Sequence, residues 1–158
     1  MTTFIGDFSC KIDSKGRILL PSILKRQMPA ASCEKFICKK DLFENCLVLY
    51  PLDEWERQNS IIRSKLSPYN KEHSRVLRGF YRGTAEIVLD GNGRMLLPKR
   101  LLAKVGIERE AILGGQNGKI EIWAPDRWDN IGENEEEFAA LAEKVLGDSK
   151  ENPFDKNE

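Results

Sequence analysis

The sequence is poor in the residues that build metal and catalytic centres. It has one histidine, His73, and four cysteines, all in the first half of the chain at positions 10, 33, 38 and 46. Zinc sites use paired ligands at short spacing, and no C-x-x-C pair is present. We therefore predict no metal and no cofactor, and we expect reduced thiols, as is usual in a cytoplasmic protein.

Long apolar runs and nucleotide-binding or hydrolase motifs are also missing. No run approaches the ~18 apolar residues of a membrane span, and no secretory signal is recognisable. Neither a P-loop nor a G-x-S-x-G motif occurs, and Gly91-Asn92-Gly93 lies in a predicted hairpin turn instead of a strand-to-helix junction. His73 is expected to be solvated in a charged helical stretch. We predict that the chain is not an enzyme, has no small-molecule substrate and does not enter a membrane.

What the sequence does contain is an internal repeat. Residues 12–21 return as residues 89–98, and both copies read D-x-x-G-R-x-L-L-P. A second similarity relates residues 47–55 to residues 120–128. Such self-similarity indicates two copies of one structural unit. Each copy has only roughly 50 residues, near the lower limit for a self-sufficient core, so the copies are expected to pack together.

The local patterns predict the same order of elements, ββαββ, in both copies, and hence an α+β fold. Asp13 to Gly16 and Asp90 to Gly93 have the composition of type I turns whose glycine closes a hairpin with a bulge. Pro21 and Pro98 suit the first turn of a short helix. Two helices between the copies are predicted, the first capped by Asp53, and an amphipathic segment covers residues 133–146.

The charge distribution is uneven although the net charge is zero. Residues 126–158 carry 11 acidic and 4 basic side chains, and residues 1–125 carry 14 acidic and 21 basic side chains. A basic body with an acidic tail is a hint of polyanion binding. A tail that merely increases solubility is an equally good interpretation.

The hairpin tips are the best candidates for a nucleic-acid contact. A two-stranded ribbon can enter the major groove, where arginine donates to guanine and asparagine pairs with adenine. The alternative is that Arg17 and Arg94 only brace their turns against Asp13 and Asp90, and spacing alone does not decide. Candidates for phosphate contacts lie at the second predicted helix between the two copies: Arg75, Arg78 and Arg82. The residues proposed to contact DNA are Lys11, Lys15, Arg17, Arg82, Asn92 and Arg94.

Taken together, these motifs resemble the MraZ family of bacterial transcriptional regulators. The resemblance rests on two copies of D-x-x-G-R-x-x-x-P, each followed by a strand pair ending in (Y/W)-x-x-D-x-W, and it covers about residues 4–146. It implies an intertwined AbrB-like fold of the swapped-hairpin, double-psi class, with a β-barrel core and flanking helices. It also implies a ring-shaped homo-oligomer that binds short direct repeats in the promoter of the division and cell-wall gene cluster, including its own gene, as a repressor.

The resemblance also assigns residue roles. Arg17 and Arg94 would contact DNA, and Lys15 matches a basic residue of the first motif. Asp13 and Asp90, with Gly16 and Gly93, would shape the loops. The chain departs from the family pattern at Ile5, where arginine often precedes the first glycine, and at Asn92, which replaces the counterpart of Lys15.

Together, the local patterns and the resemblance predict four regions along the chain. They are a first AbrB-like repeat with its following helix (4–66), a helical connector (67–82), a second repeat with a C-terminal helix (83–146) and a disordered tail (147–158). A cytoplasmic, nucleoid-associated location follows. The alternatives are an oligomeric assembly protein that does not bind DNA and an AbrB-like antitoxin module.

Overall fold

The computed structural model describes residues 2–29, 35–132 and 134–147. The chain divides into two compact units, Met1–Trp128 and Asp129–Glu158. Cys33 and most of the predicted tail, residues 148–158, lie outside the described residues. No helix in the described ranges is long and apolar enough to cross a lipid bilayer.

Both halves of the first unit contain the predicted order of elements. The first half and the connecting helices consist of β1 (Asp7–Lys11), β2 (Arg17–Leu19), α1 (Ser22–Arg26), β3 (Lys35–Lys40), β4 (Leu47–Pro51), α2 (Leu52–Lys65) and α3 (Lys71–Tyr81). The second half consists of β5 (Ala85–Val88), β6 (Arg94–Leu96), α4 (Lys99–Lys104), β7 (Glu110–Gln116), β8 (Lys119–Trp123) and α5 (Pro125–Asp129). The α+β prediction is confirmed.

The strands form a six-stranded sheet in the order β1-β7-β8-β4-β3-β5 and a two-stranded ribbon of β2 and β6. All pairs are antiparallel. The first strand of each half pairs with a strand of the other half, since β1 lies beside β7 and β5 lies beside β3. The central pair, β4 and β8, also joins the halves. The two halves are therefore interleaved, as the swapped-hairpin prediction requires.

The buried core belongs to both halves. Ile18 and Met95 lie side by side in the ribbon and are almost completely buried. Beneath them, the apolar side chains of the sheet and of α1 and α4 form one cluster, which includes Leu24, Phe36, Leu49, Leu101, Leu113 and Ile122. Because neither half encloses this cluster alone, burial of apolar area favours the interleaved arrangement.

Two details of the connecting helices differ from the sequence-based predictions. The N-cap of α2 is Pro51, so Asp53 lies inside the first turn and the predicted Asp53 cap is wrong. His73 is not simply solvated, because its Nδ1 accepts a hydrogen bond of 3.0 Å from the backbone amide of Ser67. Asn70 caps α3 by accepting hydrogen bonds from the amides of Glu72 and His73.

The second unit contains α6 (Glu135–Gly147). The Asn134 side chain accepts a hydrogen bond of 2.8 Å from the amide of Glu137, and acidic residues occupy the first turn, where the helix dipole favours negative charge. The predicted amphipathic segment at 133–146 is thus a helix, although Glu133 lies outside the described residues. Gly147, which the prediction assigned to the tail, is the last residue of this helix.

Candidate nucleic-acid interface

The first hairpin turn is organised by the carboxylate of Asp13. Its Oδ1 accepts hydrogen bonds of 2.9 Å from the amides of both Lys15 and Arg17. The Asp13 carbonyl accepts from the amide of Gly16, and the Asp13 amide donates to the carbonyl of Arg17, each at 3.0 Å. Four hydrogen bonds thus converge on one residue and fix the turn.

The second turn repeats this pattern atom for atom. Asp90 Oδ1 accepts from the amides of Asn92 at 2.8 Å and Arg94 at 3.0 Å. The Asp90 carbonyl accepts from Gly93 at 3.0 Å, and the Asp90 amide donates to Arg94 at 2.9 Å. The sequence repeat is therefore also a repeat of hydrogen-bonding geometry.

Each arginine braces its turn with only part of its guanidinium. Arg17 Nε donates to Asp13 Oδ2 at 2.7 Å, and Arg94 Nε donates to Asp90 Oδ2 at 3.0 Å. Within the described part of the chain, neither arginine forms a hydrogen bond through its terminal amino groups. The arginine side chains are 34% and 35% exposed. Bracing and ligand binding are therefore compatible, because the brace orients the guanidinium and leaves its two terminal amino groups for a partner.

Both aspartates are held in the charged form. Hydrogen bonds lower the pKa of Asp13 to about 2, the largest contribution coming from the backbone amide of Arg17. The pKa of Asp90 is lowered as well, chiefly by the backbone amide of Arg94. At neutral pH each turn therefore presents an ionised carboxylate that accepts from its arginine.

The two arginines lie on one face of the β2–β6 ribbon. In this antiparallel pair Arg17 is opposite Leu96, and Leu19 is opposite Arg94. Directly opposite residues, and residues two apart on one strand, point to the same side of a sheet. Arg17 and Arg94 are thus diagonal neighbours, with Cα atoms roughly 7–8 Å apart. Ile18 and Met95 occupy the opposite, buried face.

The same face carries two leucines that sequence reasoning did not select. Leu19 is 57% exposed and Leu96 is 58% exposed, although both sit in apolar runs. The signal that would have found them is the period of two: with the neighbouring Ile18 and Met95 in the core, Leu19 and Leu96 must point outward. The exposed face therefore presents two arginines and two leucines in alternation.

The remaining predicted residues divide into two groups. Lys15 and Asn92 lie exposed in the two turns, and Lys11 is the exposed last residue of β1, opposite Glu110 in the register. Arg82 is the C-cap of α3 and precedes β5, whereas the second turn follows β5. Arg82 and the second turn therefore lie at opposite ends of β5.

A cleft of about 830 Å³ opens beside the first turn. Its lining includes the turn itself and the basic side chains Lys11, Lys99 and Arg109, together with the acidic Glu108 and Glu110. Arg109 is placed there by its carbonyl, which accepts a hydrogen bond of 2.8 Å from the amide of Ile12. Basic residues of both halves thus flank the first tip, and neither Lys99 nor Arg109 was predicted from the sequence.

Among the residues that the structure describes, no group of three or more His, Cys, Asp or Glu side chains could hold a metal ion. Cys10, Cys38 and Cys46 are free thiols, and burial raises the pKa of each of them. The candidate interface is therefore built from turns, arginines and exposed strand residues.

Comparison with known proteins places this architecture in a family. The family model described as "MraZ protein, putative antitoxin-like" matches the chain twice in succession, over residues 3–79 and 80–148. The chain belongs to the MraZ family. Several curated proteins that carry the name MraZ are similar to this chain over most of their own length. A protein named "Transcriptional regulator MraZ" from Bacteroides fragilis is 37% identical over 146 residues, which is 92% of each chain.

Proteins of the same name from other bacteria are similar as well. The "Transcriptional regulator MraZ" of Christiangramia forsetii is 38% identical over 152 residues, covering 93% of this chain and 95% of its own. The protein of the same name from Clostridium tetani is 33% identical over 142 residues, covering 90% and 96%. The MraZ resemblance inferred from the two D-x-x-G-R motifs is confirmed.

Proposed function

We propose that this MraZ-family chain is a sequence-specific DNA-binding transcriptional regulator that acts as a repressor. The observation that carries the proposal is the shared face of the β2–β6 ribbon, where Arg17 and Arg94 point the same way with their terminal amino groups unbound. The names of the relatives support it, since each is called a transcriptional regulator. No enzymatic activity, cofactor or small-molecule substrate is proposed.

In the proposed mechanism, the ribbon enters the major groove of double-stranded DNA. The major groove admits a two-stranded β-ribbon, and arginine matches the O6 and N7 acceptors of guanine. Arg17 and Arg94 would read bases, and Asn92 would contact an adenine edge. Lys11 and Lys15 would contact phosphates, which set affinity and register but carry no base sequence.

The proposed targets are short direct repeats upstream of the chain's own gene, in the bacterial division and cell-wall cluster. One pair of turns makes few contacts, so binding by a single chain should be weak. A ring-shaped homo-oligomer would let several chains meet successive repeats, and linked binding raises the overall affinity without new contacts. The proposed location is the cytoplasm, in association with the nucleoid.

A second candidate function is an assembly or antitoxin-like role in which the ribbon face binds protein. The exposed Leu19 and Leu96 favour it, because large apolar side chains on one face also suit a protein interface. The matching family model is described as "putative antitoxin-like". Binding experiments with DNA separate the two candidates.

The test is a fluorescence-anisotropy titration of the full chain with the DNA upstream of its gene and with a shuffled duplex of equal length and composition. The proposal predicts tighter binding to the upstream DNA and a steep loss of affinity as salt rises, owing to counterion release. Equal affinity for the two duplexes would refute sequence-specific binding. Absence of binding to both at low salt would favour the protein-binding candidate.

A further inference from the structure

A second basic surface lies on α3, away from the hairpin turns. Lys71, Arg75, Arg78 and Arg82 follow one another at intervals of four, three and four residues at the exposed surface. With 3.6 residues per turn, these positions fall within an arc of about 60° and form one line along the helix. We call these four residues the α3 stripe.

The α3 stripe points away from the core because the opposite side of the helix is anchored. Phe80 is 5% exposed and stacks on Trp55 of α2 with ring centroids 5.8 Å apart. The Tyr81 hydroxyl donates a hydrogen bond of 2.7 Å to Asn59 Oδ1, also on α2. These contacts fix the rotation of α3 about its axis, so the cations are held outward on a rigid support.

Two cations of α4 extend the α3 stripe at its C-terminal end. Arg100 Nη1 donates a hydrogen bond of 3.0 Å to the carbonyl of Gly83, the residue after Arg82. Lys104 Nζ also approaches, since it lies 3.8 Å from where a Cβ on Gly83 would stand. The basic surface therefore combines helices from the connector and from the second half.

No ion pair in the described part of the protein neutralises the charges of this surface. Within residues 2–29, 35–132 and 134–147, the ion pairs are formed by other residues, and none involves the α3 stripe, Arg100 or Lys104. Like charges placed side by side repel one another, and a polyanion relieves this repulsion. Charge complementarity therefore indicates a polyanionic ligand.

The length of the α3 stripe suits the spacing of phosphates along a nucleic-acid backbone. From Lys71 to the C-cap Arg82, the α3 stripe spans roughly 16 Å. One DNA strand carries a phosphate about every 3.4 Å along the helix axis, so the α3 stripe could face about five phosphates. The stripe offers positive charges on long, exposed side chains, and both lysine and arginine bind phosphates.

The surface is separate from the base-reading face. Arg82 precedes β5 and Asp90 follows it, so the C-terminal end of α3 and the second turn lie at opposite ends of that strand. At ~3.3 Å per residue, the four residues of β5 span on the order of 10 Å. A contact made by the α3 stripe would therefore lie outside the base pairs that Arg17 and Arg94 meet.

We propose that the α3 stripe is a sequence-independent binding site for the sugar-phosphate backbone of double-stranded DNA, flanking the base pairs contacted by the two turns. That the ligand is DNA rests on the proposed function. The α3 stripe and the turns would, however, have different effects on DNA binding. The turns would supply sequence preference, and the α3 stripe would supply affinity for any duplex and much of its salt dependence.

The test compares the full chain with the variant Lys71→Gln, Arg75→Gln and Arg78→Gln on the upstream DNA and on the shuffled duplex, over a range of salt concentrations. Each lost phosphate contact lowers the slope of log K against log salt by about 0.9, so the slope should fall in magnitude by about 2 to 3. Affinity should fall by the same factor on both duplexes, leaving their ratio unchanged. An unchanged slope on both duplexes would overturn the proposal.

Two matched variants serve as controls. Lys71→Arg, Arg75→Lys and Arg78→Lys keep the charge and should retain the wild-type slope, since phosphate contacts need positive charge. Ala139→Glu, Ala140→Glu and Lys144→Gln change the net charge by the same three units on exposed positions of α6 and should also keep the slope. A slope lowered equally by the α6 variant would contradict a localised site.

The outcomes separate this proposal from the proposed function. If the wild-type chain binds upstream and shuffled DNA equally, sequence-specific regulation fails, whereas the slope change on the shuffled duplex still tests the α3 stripe. Binding to phosphatidylcholine–phosphatidylglycerol vesicles provides the remaining comparison. Loss of vesicle binding in the α3 stripe variant with intact DNA binding would assign the surface to a membrane and overturn the proposal.

Discussion

The amide of Leu97 donates a hydrogen bond of 2.9 Å to the carbonyl of Gly16, so the first turn is held by the strand that leaves the second turn. The relationship is reciprocal, because the amide of Leu20 donates to the carbonyl of Gly93 at 3.1 Å. Each turn is therefore fixed both by its own aspartate and by the other half of the chain. These two hydrogen bonds between the halves hold the two tips at a fixed distance from each other.

The glycines of the turns should differ in their tolerance of alanine. Gly16 has φ +90°, and an added Cβ would lie 2.8 Å from the carbonyl oxygen of Leu97, so Gly16→Ala combines backbone strain with a clash against backbone. Gly93 has φ +77° with only a flexible leucine methyl 3.8 Å away, so Gly93→Ala should cost only the strain, about 1–2 kcal/mol.

Urea unfolding measures this series, and Gly91→Ala is the internal control. Gly91 has open space around it and no positive φ, so its replacement should be neutral or slightly stabilising. The expected order of destabilisation is Gly16→Ala, then Gly93→Ala, then Gly91→Ala. Equal effects at Gly16 and Gly93 would show that the close approach of the Leu97 carbonyl adds nothing to the backbone strain.

Asp13→Asn should reduce sequence preference without reducing general affinity for DNA. The asparagine Oδ1 can still accept from the amides of Lys15 and Arg17, but its NH2 group cannot accept from Arg17 Nε. The guanidinium then loses its brace, while one negative charge near the DNA disappears. The ratio of affinities for upstream and shuffled DNA should fall, and binding to shuffled DNA should stay equal or tighten.

Asp7→Asn is the matched control for that experiment. Asp7 is an exposed residue at the start of β1, at the end of the strand far from the turn, and its replacement removes the same charge. Its affinity ratio should equal that of the wild-type chain. If the two variants behave alike, the effect arises from net charge and the bracing role assigned to Asp13 is wrong.

The Asp13 carboxylate of the first turn should stay ionised down to an unusually low pH. An unfolded aspartate titrates near ~3.9, whereas the pKa of Asp13 in the folded chain is about 2. A folded-state pKa below the unfolded value means that the carboxylate stabilises the fold fully above pH ~4, and this contribution is lost as the pH falls toward 2. Carboxyl carbon NMR should therefore give a midpoint near 2 for Asp13.

The Arg17→Ala variant separates the contribution of the guanidinium to the pKa of Asp13 from that of the backbone amide. Alanine keeps the backbone amide, which makes the largest contribution, and removes the guanidinium. The midpoint of Asp13 should therefore rise but remain below its ordinary value. A wild-type midpoint already at the ordinary value would contradict the hydrogen-bonding scheme of the turn.

Leu19→Ala with Leu96→Ala tests whether the ribbon face meets DNA. Both side chains are more than half exposed, so the stability should change by less than about 1 kcal/mol. Upstream DNA should bind more weakly because apolar contacts with the duplex, such as thymine methyl groups, are lost. The salt slope should not change, since no charge is removed.

Val88→Ala is the control for the leucine pair, because Val88 is 56% exposed on β5 outside the ribbon. It should leave DNA affinity unaltered. If the leucine variant keeps its DNA affinity but dissociates into smaller assemblies, as judged by sedimentation, the ribbon face binds protein and the second candidate function gains support.

The local elements of this fold could be predicted from the sequence because their signals are local. Asp13 and Gly16 lie three residues apart and specify a turn, and Pro21 suits the start of a helix whichever strands pair nearby. The start of α2 was predicted two residues too late. Asp53 was chosen as a cap from its side chain, but the preset backbone of Pro51 lets the helix begin at Leu52.

The pairing of distant strands could not be derived from residue patterns in the same way. The register that places Arg17 diagonal to Arg94 joins β2 to β6, strands more than 70 residues apart, and only the family resemblance suggested such exchange. The role of His73 was missed for a related reason. Its bond to Ser67 depends on how the chain reverses between α2 and α3, which composition does not specify.

The most direct measurement of the central claim is the affinity of an Arg17→Ala, Arg94→Ala variant for the upstream DNA, beside Arg63→Ala as an exposed control on α2. Loss of a good base contact costs about 1–3 kcal/mol, so the double variant should bind roughly 30-fold or more weakly while its sedimentation stays the same. The control should bind as the wild-type chain does. Wild-type affinity in the double variant would show that these guanidiniums only brace their turns.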